Sequence, residues 1–200
     1  MNFSNYVNVI YKIFPAFNRF KYPWEITDRI EDILEELIQT LGKDYKIKNN
    51  IAVHKSAQIS SSANIKSPAV IGENCFVSIN SYLRSGVFLD QNVTIGASCE
   101  IKSSFIFRNS AIAHLNYVGN SIIGSQVNLE AGAIVANHYN ERKYKEITAI
   151  IDGKQIKTSV IKFGALVGDN TKIGANSVLS PGTILKPKSI VKRLELVEQK

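Results

Sequence analysis

Between Ser110 and Asn137 the chain reads SAIAHLNYVGNSIIGSQVNLEAGAIVAN, and His114 is the residue there best suited to chemistry. A neutral imidazole accepts a proton near neutral pH, which makes His114 a candidate general base. Upstream, Arg84 and Lys102 stand 18 residues apart. Arginine and lysine are the residue types that hold a phosphate dianion through charge-assisted hydrogen bonds. Glu100 can orient an imidazole or an amine, and Asn and Tyr side chains in the same stretch can read hydroxyl groups.

What must position these residues is a repeat. Val53, Ile59, Ile65, Ile71, Val77, Leu83, Leu89, Ile95, Ile101, Phe107 and Ala113 are apolar at a strict six-residue interval. Two residues before most of these markers stands a small or β-branched residue (Ala57, Ala63, Ala69, Cys75, Ser81), with Phe105 the bulky exception. One large inward residue, one small inward residue and a turn fit one short strand per side of a three-sided coil whose successive turns stack. Three such units make one coil, so Arg84 and Lys102 are expected to stack on one side in adjacent coils. A β-sandwich would show turns at ~8–12-residue spacing instead.

The markers after Ala113 are Ile123, Leu129 and Val135, a step of ten that is four residues out of phase. It predicts a bulge or loop thrown out of the coil at His114–Val118. Residues 137–160 break the repeat, and Asp152-Gly153 within them is a strong two-residue hairpin turn. The repeat resumes with Ile161, Val167, Ile173, Leu179, Leu185 and Val191, and residues 193–200 read as a charged tail. Ahead of the repeat, Ile26, Ile30, Ile33, Leu34, Leu37, Ile38 and Leu41 form the stripe of an amphipathic helix of about five turns, with Gly42 at the C′ position. Its apolar face must bury against the repeat domain or another subunit. Residues 43–50 read as a polar linker, giving a helical appendage over 1–50 and a repeat domain over 51–192.

Apolar residues make up 44% of the chain and charged residues 20%, which suits a globular protein and argues against disorder. The first twenty residues lack the unbroken apolar run of a signal peptide, and no stretch reaches membrane-span length, so a cytoplasmic location is expected. Cys75 and Cys99 both fall at small inward positions and read as buried, reduced thiols. Residues 136–200 hold twelve Lys/Arg against six acids, nearly all of the net +7 charge. That field suits phosphate-bearing ligands. It lacks the interleaved aromatics of a single-strand groove, so no nucleic-acid partner is expected. His54, His114 and His138 include no close metal-binding pair, and no metal is expected.

The sequence AHLNYVGNSIIGSQVNLEAG, followed by AN and KYK, resembles the hexapeptide-repeat acyltransferase family. It is most similar to the acetyltransferase region of glucosamine-1-phosphate acetyltransferase/sugar-1-phosphate nucleotidylyltransferases of archaeal type. The likeness covers roughly residues 22–190, and no Gly-rich GxGxR loop of the nucleotidyltransferase half occurs in these 200 residues. The resemblance implies a left-handed parallel β-helix, acetyl-CoA as co-substrate and a homotrimer with sites between subunits. It implies His114 as base, with Glu100 and Asn137 beside it, and a sugar phosphate held by Arg84, Lys102, Tyr117, Asn128 and Lys143. Donor contacts fall on Ala131, Gly168, Asp169 and Lys186. Glu130 stands where the family tends to have glycine, and its carboxylate would either crowd the donor or turn outward. The expected reaction is N-acetylation of a hexosamine 1-phosphate. Two rivals are acylation of a nucleotide-linked amino sugar, and a non-catalytic β-helix that docks a separate nucleotidyltransferase through the Pro23-Trp24-Glu25 helix.

Overall fold

A computed structural model describes residues 1–198. Short strands one coil apart pair in parallel, and three columns of them form the sides of a rod. On side A, Val70 lies opposite Phe88, Phe88 opposite Phe105, Phe105 opposite Ile122, Ile122 opposite Leu166, and Leu166 opposite Ile184. Side B carries Gln58, Phe76, Thr94, Ala111, Asn128, Lys172 and Ile190 in register. Side C carries Asn64, Tyr82, Glu100, Tyr117, Ile134, Val178 and Leu196. Asn, Ser and Gln recur at the corners with positive φ, among them Asn80, Ser98, Asn120 and Gln126. Asn tolerates this conformation better than most side chains, which explains its recurrence there.

The interior of the rod is apolar and fully buried: Ile71, Leu83, Leu89, Ile95, Ile101, Ile106, Ile112, Val118, Ile123, Leu129, Val135, Val167, Ile173 and Leu179. This corrects the phase read from the sequence. The inward residues are Ile106 and Ile112, not Phe107 and Ala113, because Ile106 pairs with Leu89 and Ile112 with Ile95. The coils from Phe88 to Phe105 and from Phe105 to Ile122 each contain 17 residues, where Val70 to Phe88 takes 18. Two one-residue deletions therefore absorb the four-residue slip, and no loop leaves the coil at His114–Val118. Phe105-Ile106-Phe107 is apolar on both faces, so the sequence could not say which face was inside.

Phe105 and Phe107 point out of side A because the N-terminal segment covers it. A four-residue helix, α1 (Ile10–Ile13), and a 3-10 turn (Pro15–Arg19) bring Phe14 and Phe17 onto the sheet. Phe14 meets Phe88 and Phe105 edge-on, with ring centroids 4.9 and 5.3 Å away, and Phe17 meets Phe105 at 5.4 Å. Each fully buried phenylalanine contributes about 1.5–3 kcal/mol of transfer free energy, so this cover is part of the fold.

The expected five-turn helix is two helices, α2 (Pro23–Asp28) and α3 (Ile30–Ile38), with Arg29 leaving helical geometry between them at φ −108°, ψ 18°. Tyr22 caps the first, and the Glu25 carboxylate accepts from the Lys21 and Tyr22 amides. Gly42 is not its C′ residue, since α3 ends at Ile38 with Gln39 as cap. The stripe buries in cis on side A. Ile30 packs so tightly over Gly86 that a β-carbon there would lie 2.7 Å from Ile30 Cγ2. Residues 43–50 are not a free linker. Tyr45–Lys48 forms β1, antiparallel to β2 (Ile51–His54) at the first edge of side A.

The coil is interrupted after Val135. Phe163 N–H donates to Asn137 O at 2.9 Å as the chain re-enters the rod, so the insertion extends beyond residue 160. Ile161 is exposed and is not a core marker. Within it, Thr148–Ile151 and Lys154–Lys157 form an antiparallel hairpin closed by Asp152 and Gly153, both at positive φ. Parallel pairing then continues to Leu196–Val197, inside the stretch read as a tail. Among the described residues no helix is long and apolar enough to cross a membrane.

Candidate active site

Side C alternates inward and outward residues, as a strand must. Ile101 and Val118 face the core, so their neighbours face out. Tyr82, Glu100 and Tyr117 form one outward column, and Arg84, Lys102 and Gly119 form the next. Arg84 and Lys102 are thus paired directly, one coil apart. The Arg84 guanidinium donates to Glu100 Oε1 at 2.6 Å from Nη2 and 2.8 Å from Nε, and lies 5.7 Å over the Tyr82 ring. A bulge at Ser85-Gly86, both at positive φ, turns this strand from side C onto side A directly after Arg84.

Lys102 Nζ donates to Asn120 Oδ1 at 3.2 Å, and Asn137 Nδ2 donates to the same oxygen at 2.7 Å. The His138 ring nitrogen Nδ1 lies 3.2 Å from Asn137 Oδ1. An amide oxygen only accepts, so His138 donates from Nδ1. Burial lowers the pKa of Lys102, and the neighbouring cations Lys162 and Arg84 lower it further against the opposing Glu100 and Glu31. Burial raises the Tyr117 hydroxyl, helped by Glu100 and opposed by Arg84 and by a hydrogen bond from Asn137. The arrangement is a cationic, half-buried cluster on side C with hydroxyl and amide groups beside it, which suits a phosphorylated polyol.

His114 sits at the corner between sides B and C. Its carbonyl accepts from Gly132 N–H at 2.9 Å, and Leu115 N–H donates to Ala97 O at 3.0 Å. The side chain is exposed and folds back over Gly96, where a β-carbon would lie 3.1 Å from His114 Nδ1. Ala131 occupies the same corner one coil further on, its carbonyl accepting from Asn176 N–H at 3.1 Å. Both thiols are buried and raised by that burial, Cys75 to about 11, with Sγ donating to Asp90 O (Cys75) and Ala113 O (Cys99). Neither is a nucleophile.

A sequence profile described as hexapeptide repeat of succinyl-transferase matches residues 68–103 and 160–192. Those two stretches of the chain carry hexapeptide repeats. It is 38% identical over 156 residues to a bifunctional sugar-1-phosphate nucleotidylyltransferase/acetyltransferase of Sulfurisphaera tokodaii, covering 75% of this chain and 38% of that protein. It is 37% identical over 161 residues to the bifunctional protein GlmU of Methanococcus maripaludis, covering 78% of this chain and 38% of that one. The chain therefore spans well under half the length of these relatives. An N-acyltransferase of Bacillus cereus, crystallised with dTDP and coenzyme A, superposes with a TM-score of 0.49 at 15% identity over 68% of this chain and 76% of that one.

Within this hexapeptide-repeat rod, Arg84, Glu100, Lys102, Tyr117 and Asn137 come together. The other expected site residues do not join them. Asn128 lies on side B, lining an open cleft of about 480 Å³ with Glu130, Lys172, Lys192 and Arg193. Glu130 is tied down: Arg193 donates to both its oxygens at 2.8 Å and Ala175 N–H donates at 2.9 Å. Lys143 is exposed in the insertion with its ammonium 5.7 Å over Tyr144. Gly168, Asp169 and Lys186 stand at the corner between sides A and B, away from Ala131. Asp169 is spent on structure there, its carboxylate accepting from Asn8 N–H at 2.9 Å and Ser125 N–H at 2.7 Å. The N-terminal segment that it fastens had no visible link to it in sequence.

Two participants were missed. Asn120, which joins Lys102 to Asn137, follows Gly119 at a corner and meets Lys102 through its side chain, while Gly119 is the register partner of Lys102. His138 was read as incidental. Gly119 is itself required, since a β-carbon on it would lie 2.6 Å from the Tyr117 hydroxyl and 2.8 Å from Asn137 Nδ2. Gly119→Ala is expected to expel the Tyr117 ring from the pocket while the rod stays folded. The expected readout is loss of sugar-phosphate binding with little change in thermal unfolding. Unchanged binding would mean that the Tyr117–Asn137 contact is dispensable.

Proposed function

We propose that this chain is an acetyl-CoA-dependent N-acetyltransferase acting on a hexosamine 1-phosphate. The observation that carries the reading is the convergence of Arg84, Lys102, Tyr117 and Asn137 around the bare Gly119 on side C. Arg84 and Lys102 take the phosphate, and Tyr117 and Asn137 take hydroxyl or amide groups of the sugar. The relative named a bifunctional sugar-1-phosphate nucleotidylyltransferase/acetyltransferase supports the reading.

The reaction needs a free amine. His114 takes the proton as the amine nitrogen attacks the thioester carbonyl, the C–S bond breaks, and the sulfur leaves as coenzyme A after gaining a proton. No acyl-enzyme is required, in keeping with two buried thiols. His114 and the cation pair occupy opposite margins of side C, so a second copy laid along this side would bring its own corner to the pocket. We infer a homotrimer on that ground and assign the donor to the corner that carries His114 and Ala131.

His114→Ala is expected to keep the fold, since the side chain is exposed, and to lose at least ~100-fold in turnover. Turnover within threefold of wild type would remove His114 from the mechanism. A coenzyme A release assay across amino sugars, with and without the 1-phosphate, tests the reading as a whole. Equal rates with both forms would dismiss the phosphate preference. Glucosamine and galactosamine differ at one hydroxyl, and the same panel separates them.

One observation weighs against the docking rival. Trp24 is buried, stacked on Tyr22 at 4.5 Å and edge-on to Phe163 at 5.6 Å, so its ring is committed to its own chain.

A further inference from the structure

We propose that the elbow between α2 and α3 forms a polyol-reading subsite beside the cation pair, where Glu31, Ser103 and Asn120 hold hydroxyl groups at the far edge of the sugar ring; this rests on the sugar-phosphate reading above. Arg84, Lys102 and Gly119 are register partners, and the residue after each turns the corner from side C to side A. Those residues are Ser85, Ser103 and Asn120, all left-handed, with φ of 55°, 47° and 45°. The helical segment crosses this corner where it breaks, at Arg29. Ile30 sits on Gly86, and a β-carbon on Gly86 would also lie 3.4 Å from Glu31 Cγ, so the stem of Glu31 is laid against the bulge. Between elbow and corner is a cavity of about 220 Å³ whose lining includes Asp28, Glu31, Asp32, Ser85, Ser103 and Asn120.

Two polar groups in this lining call for a ligand. Ser103 is only 6% exposed, yet its hydroxyl finds no hydrogen-bond partner among the described residues and is not sealed from the cavity. Asn120 is 8% exposed, and its Oδ1 already accepts from Lys102 Nζ and Asn137 Nδ2, while its own Nδ2 has no partner among the described residues. Buried polar groups are paired as a rule, so both are built to meet something else. The lining decides what that is. An anion would be repelled by the carboxylates of Asp28, Glu31 and Asp32, and a cation would leave the Asn120 donor unpaired. A hydroxyl group donates to a carboxylate and accepts from an amide, so a polyol satisfies both kinds of group at once. One water takes ~30 Å³ in the liquid, so the cavity has room for an edge of a sugar ring. Because the Asn120 side chain touches Lys102 and also lines the cavity, one ligand can place its phosphate on the cations and its hydroxyls under the elbow.

The test separates phosphate from polyol by calorimetric titration of the full chain with two ligands. Methyl phosphate engages the cation pair alone, and glucose 1-phosphate adds the ring hydroxyls without an amine. Wild type is compared with Ser103→Gly, which deletes the hydroxyl and suits the positive φ, with Glu31→Gln, and with Glu35→Gln, one turn along α3 and outside the cavity. Thermal unfolding checks that each variant is folded. Affinity for glucose 1-phosphate is expected to fall about fivefold in Ser103→Gly and about 10-fold in Glu31→Gln, and to hold in Glu35→Gln. Methyl phosphate should be weakened in none of them. Equal losses for both ligands would make Ser103 and Glu31 mere supports of the cation pair and overturn the proposal, as would equal losses in Glu31→Gln and Glu35→Gln. Wild-type affinity for glucose 1-phosphate in Ser103→Gly and Glu31→Gln, with Arg84→Gln impaired, would overturn it and leave the sugar-phosphate reading standing. If wild type binds neither glucose 1-phosphate nor hexosamine 1-phosphate, the reading itself fails and the subsite with it.

Discussion

Replacing Arg84 and Lys102 together by glutamine raises the KM for hexosamine 1-phosphate by at least ~100-fold and leaves that for acetyl-CoA within about threefold. Hydrogen bonds to charged groups contribute ~1.5–3 kcal/mol each, or roughly 10- to 150-fold apiece. The two cations are register partners one coil apart on an outward face, so neither is needed to fill the core. Glu100 loses its partner in the double variant, but it is partly exposed, and the rod should still melt cooperatively. The variant should also cease to distinguish hexosamine 1-phosphate from free hexosamine. A parallel rise in both KM values would indicate distortion of side C. No rise in either would show that the cations serve something else.

The largest effect on stability is expected from Ile95→Asp. Ile95 has no exposed surface, and its neighbours in the coil interior are apolar. A carboxylate there has no partner and must either protonate or lose its hydration, at a cost of several kcal/mol. Domains of this size are stable by only about 5–15 kcal/mol, so the variant should be insoluble or unfolded at room temperature. Thr94→Asp, one residue earlier, places the same group on the exposed surface of side B between Phe76 and Ala111. Its circular dichroism and unfolding temperature should match wild type. Failure of Thr94→Asp would show side B to be buried in the working protein, and survival of Ile95→Asp would show the register to be wrong.

The coil was legible because its period is enforced by one recurring inward position, and Ile71 through Ile101 follow it without error. Legibility failed where strands are apolar on both faces. Phe105-Ile106-Phe107 looks the same whichever residue points inward, and the choice is made by Phe14 and Phe17, about ninety residues away. For the same reason Phe105 stood out as a bulky exception when it was an outward residue under a cover. The broken helix at Arg29 and the strand at Tyr45–Lys48 depend on contacts with side A that no local pattern encodes. In the site, Arg84 and Lys102 were readable from spacing alone because stacking converts an 18-residue interval into contact. Asn120 stands a further 18 residues on and meets Lys102 from the corner, although the register partner of Lys102 in that 17-residue coil is Gly119. The partners that hold Glu130 and Asp169, Arg193 and Asn8, lie 63 and 161 residues away and could not be read from the local sequence.

The strand Tyr45–Lys48 has a consequence for how copies of the rod can meet. A stack of parallel strands is a template at both ends, because its first and last rungs offer backbone groups to any further strand running the same way. End-on addition of another copy would extend side A only with a strand parallel to Ile51–His54. That position is already taken by a strand running in the opposite direction, which also presents Lys46 and Lys48 to solvent. Side A thus has a stopped edge at that end of the rod, where parallel addition is opposed by polarity as well as by charge. Side C and the His114 corner lie on its flank, clear of that stopped edge.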